Sequence, residues 1–364
     1  MKKIVKNGLV LSTALLLAAC GNSSTSTSSD PGVAENANVK IEVKGGTYVL
    51  PTDKSSDSQY LAVELKVTNK TDKKMEISTS DFKFYDEEED EVSTLDTYSY
   101  GSDFETLSFD SISGGKSKTT YLIYEIDEDA SYSLHYAPFL DENAKELKVT
   151  VDAADYEDTT GEIESLVSSY VNAVFLNKET EASSSEKEEK SSSAVLANDV
   201  EAAKTEFIAD YVKELTDEFY YYVPSEDEAK TFINAYIAEN AKRAKVTYTL
   251  KTYLPDFAEI YVRPEVIDLS TIDMDSLADK FVEENQGKFE NYSDAEKAAE
   301  KYVLEQIPTM LNTASIATSG SMYDKEGFLI TLTKNSEGEW EINTASDSYY
   351  SYLIETFSGL NINY

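Results

Sequence analysis

Apolar and polar residues alternate with a period of two along residues 38–151. The clearest run places Leu61, Val63, Leu65 and Val67 at every second position. Because side chains two residues apart share one face of a strand, this pattern predicts strands that are buried on one side. About seven short strands with turns between them predict an all-β sandwich over residues 39–155. Further alternating apolar positions are Val39, Ile41, Val43, Met75, Ile77, Phe82, Phe84, Tyr121, Ile123, Tyr132, Leu134, Tyr136, Leu147, Val149 and Val151.

In the second part of the chain, residues 158–364, the apolar period lengthens to that of a helix. Ile163, Val167, Tyr170 and Val174 fall on one helical face. Alternation then returns in several short segments, so we expect an α+β domain in which helices pack on a curved antiparallel sheet. Helical spacing recurs around Phe207, Phe232, Leu277, Val303 and Leu353, and alternation recurs at 246–250, 260–262 and 328–342.

Two further segments are poor in apolar residues. Residues 153–161 separate the two periodicities, and we expect two independently folding units to meet there. Residues 179–193 read ETEASSSEKEEKSSS, a composition that cannot bury enough apolar surface to offset the entropy of ordering. They are predicted to form a disordered insert between two helices.

The chain begins with a pattern typical of protein export. Lysines at positions 2, 3 and 6 precede an apolar stretch at 8–19, which is too short to cross a ~30 Å hydrocarbon core. It ends at Ala18-Ala19-Cys20-Gly21, which resembles the bacterial lipobox. We therefore predict a signal peptide over 1–19, cleavage between Ala19 and Cys20, and a diacylglyceryl group on the Cys20 thiol, with palmitate as a typical acyl chain. An ordinary secretory signal with a chance cysteine is the alternative.

Residues 20–38 are rich in Ser, Thr and Asn and are predicted to form a lipidated tether. A flexible coil of this length spans roughly 20–25 Å. Two or more acyl chains make anchoring stable. The predicted location is the outer face of the bacterial cytoplasmic membrane, within a Gram-positive cell envelope.

Composition narrows the classes of partner. Asp and Glu number 69 against 32 Lys and Arg, a formal charge of −37, which repels phosphate backbones and argues against nucleic-acid binding. Such a surface favours cations and basic partners, although a solvated acidic coat with no specific partner is the simpler interpretation. Because Cys20 is the only cysteine, no intramolecular disulfide is expected.

Two resemblances follow from particular segments. Residues 60–69, 77–84 and 114–126 resemble the immunoglobulin-like domain of unknown function of many Gram-positive lipoproteins, which is similar in fold to a secreted mycobacterial antigen. Residues 170–177 and 330–342 resemble the nuclear-transport-factor-2-like or cone-shaped domains that often accompany it. The resemblance implies extracellular placement and no established activity. It also implies a cone whose mouth either holds a ligand or is filled.

Residues suited to catalysis are scarce. His135 is the only histidine, so zinc sites of ordinary composition are excluded, and a core-edge or surface role is favoured over that of a general base. The acidic run at 86–91 lacks the spacing and central glycine of a calcium loop and is predicted to be a solvated loop rather than a cation site. We expect no catalytic residues, no metal site and no cofactor.

Tyrosine is the remaining feature, because the chain has 26 of these residues. Most are expected in strand and helix cores with the hydroxyl at the rim, and exposed ones would suit stacking on sugars or peptides. The predicted function is a non-enzymatic binding or interaction module at the cell envelope, with an unidentified protein, peptide or glycan partner. The alternative is a receptor that binds a small molecule or peptide in the cone of the C-terminal domain.

Overall fold

The computed structural model of the protein describes residues 30–98, 101–138, 145–178, 194–318, 325–345 and 348–360. The predicted signal peptide (1–19), the lipidation residue Cys20 and the insert 179–193 lie outside the described residues. The described chain forms an N-terminal region of strands and a C-terminal region of helices and strands, which confirms the predicted fold class.

The N-terminal region is a sandwich of two antiparallel sheets. One sheet has the strand order β1-β2-β3-β9-β7 and the other the order β11-β10-β5-β6, while β4 and β8 pair separately. Its strands are β1 (Val33–Glu35), β2 (Val39–Val49), β3 (Gln59–Asn69), β4 (Met75–Ser78), β5 (Phe82–Tyr85), β6 (Glu91–Val92), β7 (Thr94–Leu95), β8 (Phe109–Ile112), β9 (Ser117–Ile126), β10 (Ser131–Tyr136) and β11 (Leu147–Asp152).

The alternating apolar positions fill the space between these sheets. Leu61, Val63 and Leu65 of β3 are fully buried there. The Phe84 ring stacks on that of Tyr124 with centroids 4.0 Å apart, and on that of Tyr132 at 4.8 Å. Aromatic stacking across the sheets adds to the area that the strands bury.

The N-terminal sheet begins earlier than the sequence indicated. Strand β1 pairs antiparallel with β2 and places Ala34 opposite Ile41. The Pro31 carbonyl also accepts a hydrogen bond of 3.0 Å from the Thr150 amide. Because these residues satisfy the backbone groups of a sheet edge, the prediction of a free tether over 20–38 was wrong for the residues around β1.

The C-terminal region packs helices against one antiparallel sheet of order β12-β13-β15-β16, with β14 paired to β13. A continuous apolar core lies between the helices and the sheet. Its elements are α1 (Gly161–Leu176), α2 (Val200–Asp217), α3 (Glu226–Arg243), β12 (Lys245–Leu254), β13 (Phe257–Ile267), α4 (Met274–Glu284), α5 (Tyr292–Met310), β14 (Ile316–Thr318), β15 (Phe328–Lys334), β16 (Trp340–Ile342) and α6 (Tyr349–Ser358).

Aromatic side chains fill the interior where α1, α2 and α6 meet. Phe175 stacks on Phe357 at 4.7 Å and meets Phe207 edge-on at 5.0 Å. The hydroxyl groups of Tyr170 and Tyr350 are 2.7 Å apart in a buried hydrogen bond. Tyr170 and Tyr350 are core residues, as was expected for most of the tyrosines, but their hydroxyls pair inside the core rather than at its rim.

The core of the C-terminal domain continues onto the sandwich. Tyr60 and Ala62 of β3, Ile123 of β9 and Leu50 at the end of β2 are buried within it. Leu61, Val63 and Leu65 of β3 face the other side of this sheet, into the core of the sandwich. The sheet β1-β2-β3-β9-β7 is therefore buried on both faces where it meets the C-terminal domain. The two domains therefore share a core, and the expectation that each folds independently stays a prediction.

Backbone and side-chain hydrogen bonds reinforce this contact. The amide and carbonyl groups of Leu50 and Tyr253 bond each other reciprocally, at 2.8 and 2.9 Å, so that β2 and β12 meet directly. The Asp256 carboxylate in the β12–β13 turn accepts hydrogen bonds from the Ser102 hydroxyl at 2.5 Å and the Asp103 amide at 2.7 Å. The relative position of the domains is fixed by more than the linker.

The linker itself packs on the sandwich. The Tyr156 ring lies over Gly46 of β2, where a Cβ atom would approach it to 2.8 Å. Only glycine leaves room for the ring at that point. A β-bulge between Val43 and Gly45 accompanies this close approach.

Candidate binding cleft between the two domains

A cleft of about 910 Å³ opens beside the shared core, where the sandwich meets the linker and β12. Its floor includes Tyr48, Leu50 and Tyr60 from β2 and β3. Asp158 and Thr160 of the linker, together with Leu250 of β12, close the opposite side. Clefts of this size at domain junctions are common ligand sites.

The lining of this cleft carries an excess of negative charge. Seven carboxylates and no lysine or arginine are among its described lining residues. None of the seven forms an ion pair with a lysine or arginine in the described ranges. We refer to the site as the acidic cleft, and its carboxylates are Asp57, Asp86, Glu87, Glu88, Glu125, Asp127 and Asp158.

Two buried tyrosines, Tyr48 and Tyr132, line the acidic cleft. The Tyr48 hydroxyl donates to the Ala153 carbonyl at 3.3 Å, and the Tyr132 hydroxyl accepts the Asp127 amide at 2.7 Å. Burial raises the pKa of Tyr48 to about 12, and the carboxylates of Glu128 and Asp158 add to the effect. Both rings therefore stay neutral and fixed in place, while the carboxylates that surround them are held at the rim.

Hydrogen bonds between one side chain and backbone amides order the acidic run at 86–91. The Asp86 side chain accepts the amides of Glu88 and Asp90, both at 2.9 Å, which closes the turn between β5 and β6. Glu91 pairs with Lys83 at 2.9 Å on the outer side. Across the described residues, no group of three or more acidic, histidine or cysteine side chains is arranged to hold a metal ion. The run therefore supplies Asp86, Glu87 and Glu88 to the acidic cleft as separate charges.

The structure places His135 away from the acidic cleft. Its ring lies on β10, half-buried, with Nδ1 3.0 Å from Glu146 and Nε2 2.9 Å from the Ser133 hydroxyl. The Tyr85 ring packs against it at 4.6 Å. These contacts tie the imidazole to the edge of the sandwich sheet, in the core-edge position that the sequence favoured.

Sequence reasoning did not find the acidic cleft, because its residues come from separate parts of the chain. Asp57, Glu125 and Asp158 are brought together only by the pairing of β3 with β9 and by the packed linker. One sequence signal was present: β3 opens with the continuous apolar run Tyr60-Leu61-Ala62-Val63, which indicates burial on both faces. A second layer over the sheet, and hence a junction beside it, could have been inferred from that run.

The chain was compared with protein families and with known proteins. The family model for a domain of unknown function, DUF4352, matches residues 33–162, and the model for another, DUF5105, matches residues 154–358. The two matches meet at the packed linker. No curated protein matches the chain at a significant level.

A solved structure shares the two-domain architecture. A candidate lipoprotein of Bacillus subtilis, ycdA, is 18% identical with a TM-score of 0.64, and the match covers 90% of this chain and 98% of that one. This likeness extends over both domains and shows the fold. Smaller matches include a candidate lipoprotein of Staphylococcus aureus (14% identity, TM-score 0.28, covering 35% of this chain and 92% of that one) and MPT63, a secreted protein of Mycobacterium tuberculosis (10% identity, TM-score 0.23, covering 35% and 89%).

Among the described helices, none is both long and apolar enough to span a bilayer.

Proposed function

The chain belongs to the DUF5105 family of domains of unknown function, whose description assigns no activity, and we propose that it is an envelope protein that binds a cationic ligand in the acidic cleft. The observation that carries the proposal is the convergence of seven carboxylates, unpaired with any described lysine or arginine, on one cleft. Opposite charge is the simplest complement to such a lining.

The geometry favours binding over catalysis. Six of the seven carboxylates are exposed at the rim and one is half-buried, so they attract a ligand without being desolvated beforehand. The half-buried side chains of Val92, Ala130 and Leu250 in the lining offer apolar contact to the ligand's methylene groups. We propose a non-enzymatic role, since the sole histidine is engaged by Glu146 and Ser133 at another site. Because the negative charge of the chain repels phosphate groups, we propose no nucleic-acid partner.

We further propose lipid anchoring at Cys20 after cleavage next to Ala19, at the outer face of the cytoplasmic membrane of a Gram-positive cell. The sequence around Cys20 supports this, and the candidate lipoprotein ycdA has the same two-domain fold. Metabolic labelling with a fatty-acid analogue tests it, with Cys20→Ala as the variant. The wild-type chain should incorporate label and the variant should not, because the chain has no other thiol. Label in the variant would exclude lipidation at this residue.

Calorimetric titration with the tetra-amine spermine tests the acidic cleft. The triple variant Asp57→Asn/Glu125→Gln/Asp127→Asn should bind about ten-fold more weakly, since each lost charge removes a fraction of a kcal/mol or more. A matched triple variant, Asp217→Asn/Asp275→Asn/Glu305→Gln, removes the same charge from exposed positions on the C-terminal helices and should bind as the wild type does. Hexaethylene glycol, a neutral chain of similar length, should not bind.

Two results would contradict the proposal. One is equal weakening by the cleft variant and its matched control, which would mean that only the net charge matters. The other is binding of hexaethylene glycol as tightly as spermine. The proposal also requires that affinity fall as salt is raised, because the rim carboxylates are open to screening.

A further inference from the structure

A second surface, on the C-terminal domain, exposes aromatic side chains in contact with one another. Tyr220, Val223 and Tyr292 are 84, 74 and 69% exposed, and Tyr221 is 36% exposed. The Tyr221 ring meets Tyr220 edge-on at 4.8 Å and Tyr292 edge-on at 6.3 Å. We call these four residues the tyrosine patch. Large contiguous apolar surfaces are rarely left open on a soluble domain without a partner.

Hydrogen bonds to α5 and a helix cap fix the backbone of the loop that carries the tyrosine patch. One carboxylate, that of Glu300 on α5, accepts the backbone amides of Tyr220, Tyr221 and Tyr222 at 3.2, 2.8 and 2.6 Å. Ser225 and Glu228 then form a reciprocal capping box that starts α3. The exposed rings are therefore presented by a backbone that is fixed before any partner arrives, which lowers the entropic cost of binding.

A lysine of the protein already lies against one tyrosine of this loop. Lys301 pairs with Glu228 at 2.9 Å and lies over the buried Tyr222 ring at 5.5 Å. This lysine is thus engaged within the protein. It also shows, within this structure, that a tyrosine of the loop accepts a cation on its face beside a carboxylate.

The outer side of the loop combines rings with negative charge. The Glu296 carboxylate raises the pKa of the nearby Tyr292 hydroxyl, with smaller contributions from burial and from Asp279. Glu218 is exposed directly before the loop. Aromatic faces beside carboxylates complement arginine and lysine, which stack on rings and pair with carboxylates, and they disfavour anionic partners.

We propose that the tyrosine patch is a docking surface for a basic, arginine- or lysine-containing segment of a partner polypeptide. The chemistry matches that of binding surfaces in which rigid tyrosines supply most of the contact area. The tyrosine patch lies on the loop between α2 and α3 and on the first residue of α5, and it shares no residue with the acidic cleft. The inference therefore does not rest on the function proposed for the cleft.

The test uses a dodecapeptide of alternating arginine and glycine, titrated in about 150 mM salt to screen long-range attraction. The parent protein carries the Asp57→Asn/Glu125→Gln/Asp127→Asn substitutions, so that binding in the acidic cleft contributes little. Tyr220→Ala/Tyr292→Ala in this background should bind about five- to thirty-fold more weakly, the loss expected for two cation–π contacts. Tyr220→Phe/Tyr292→Phe should bind as the parent does, since the ring faces remain.

The matched control is Tyr349→Ala/Tyr352→Ala. This pair is also exposed, at 42 and 46%, and its rings are 6.1 Å apart, but it lies on α6. It should not change the affinity. Cross-links from a photoreactive peptide should map to residues of the tyrosine patch, and thermal melting should verify that each variant is folded.

Three outcomes would overturn the inference. The first is unchanged affinity when both alanines are introduced at the patch. The second is equal binding of a peptide in which neutral citrulline replaces arginine, because charge would then be irrelevant. The third is that the Tyr220→Ala/Tyr292→Ala variant loses binding to the neutral glycan chitohexaose but still binds the arginine peptide. The tyrosine patch would then be a glycan site.

Discussion

The sandwich closes its core between its own two sheets, whereas the C-terminal domain completes its core with side chains of the sandwich. All fully buried members of the first core lie between residues 39 and 153. The second core, by contrast, includes Val49, Leu50, Tyr60, Ala62 and Ile123. The C-terminal domain therefore depends on the sandwich to complete its core, whereas the core of the sandwich is complete without the C-terminal domain. The two family matches meet at the linker, but the core of the C-terminal domain extends past it.

The two regions also use charged groups differently. The carboxylates of the acidic cleft lie at the surface. The C-terminal domain, by contrast, buries one oxygen atom of each of two carboxylates. Glu214 and Glu355 each have one carboxylate oxygen that is buried without a hydrogen-bond partner among the described residues. Buried like charges cost stability unless one of them takes up a proton.

The largest effect is expected when the domains are separated. A fragment covering 30–157 should melt cooperatively, because its core is complete. A fragment covering 158–364 should not, because its apolar surface that normally meets Tyr60, Ala62 and Ile123 would face water. Calorimetry on the two fragments measures this, with the full chain as the reference. Cooperative melting of both fragments would show that the shared core is dispensable.

A neighbouring pair of residues on opposite faces of β9 sharpens the comparison. Leu122→Ala and Ile123→Ala each remove a fully buried side chain and should each cost about 2–4 kcal/mol of unfolding free energy. Leu122 belongs to the sandwich core and Ile123 to the shared core.

Hydrogen exchange separates the two variants. Leu122→Ala should lower protection mainly in the sandwich, whereas Ile123→Ala should lower it in α1 and β12 as well. Identical protection patterns in the two variants would contradict the one-sided dependence.

The smallest effect concerns pH and the C-terminal domain. Burial, and then the nearby Glu355, raise the pKa of Glu214 above its usual value of 4.5. A raised pKa in the folded state means that folding takes up a proton, so the associated stability is present at low pH and is lost as pH rises through the raised value. Glu214→Gln should therefore raise the melting temperature by about 1–2 °C at pH 7. The gain should disappear near pH 4.

The control for this prediction is Glu305→Gln, which is exposed on α5. It removes the same charge without relieving a buried contact, so it should change the melting temperature equally little at both pH values. A pH-independent gain from Glu214→Gln would mean that net charge, rather than burial, accounts for the effect.

Periodicity was sufficient to predict both domains, because most strands and helices bury one face only. Periodicity gave an incomplete prediction where both faces of a strand are buried. At Tyr60-Leu61-Ala62-Val63 both faces are buried, and the alternating set Leu61, Val63, Leu65 and Val67 described only the sandwich side. The short strand Val33–Glu35 was missed because three residues are too few to show a period.

The candidate sites were harder to predict than the fold. Composition indicated a preference for cationic partners, yet it could not select the carboxylates that converge, since strand pairing and the linker decide which of 69 acidic residues meet. The Tyr220-Tyr221-Tyr222 run was visible in the sequence. The sequence did not show that Tyr220 and Tyr221 are exposed while Tyr222 is buried, nor that Glu300, some eighty residues later, accepts the amides of all three.

The reciprocal hydrogen bonds between Leu50 and Tyr253 have a kinetic consequence. Two-domain binding proteins commonly close about a hinge, and closure then sets a ceiling on the rate at which ligand is captured. Here the strands on either side of the acidic cleft are bonded to each other at its floor, so the cleft is open and formed in advance. Capture of a cationic ligand should follow a single exponential whose rate rises linearly with ligand concentration and slows with salt, as for encounter steered by charge.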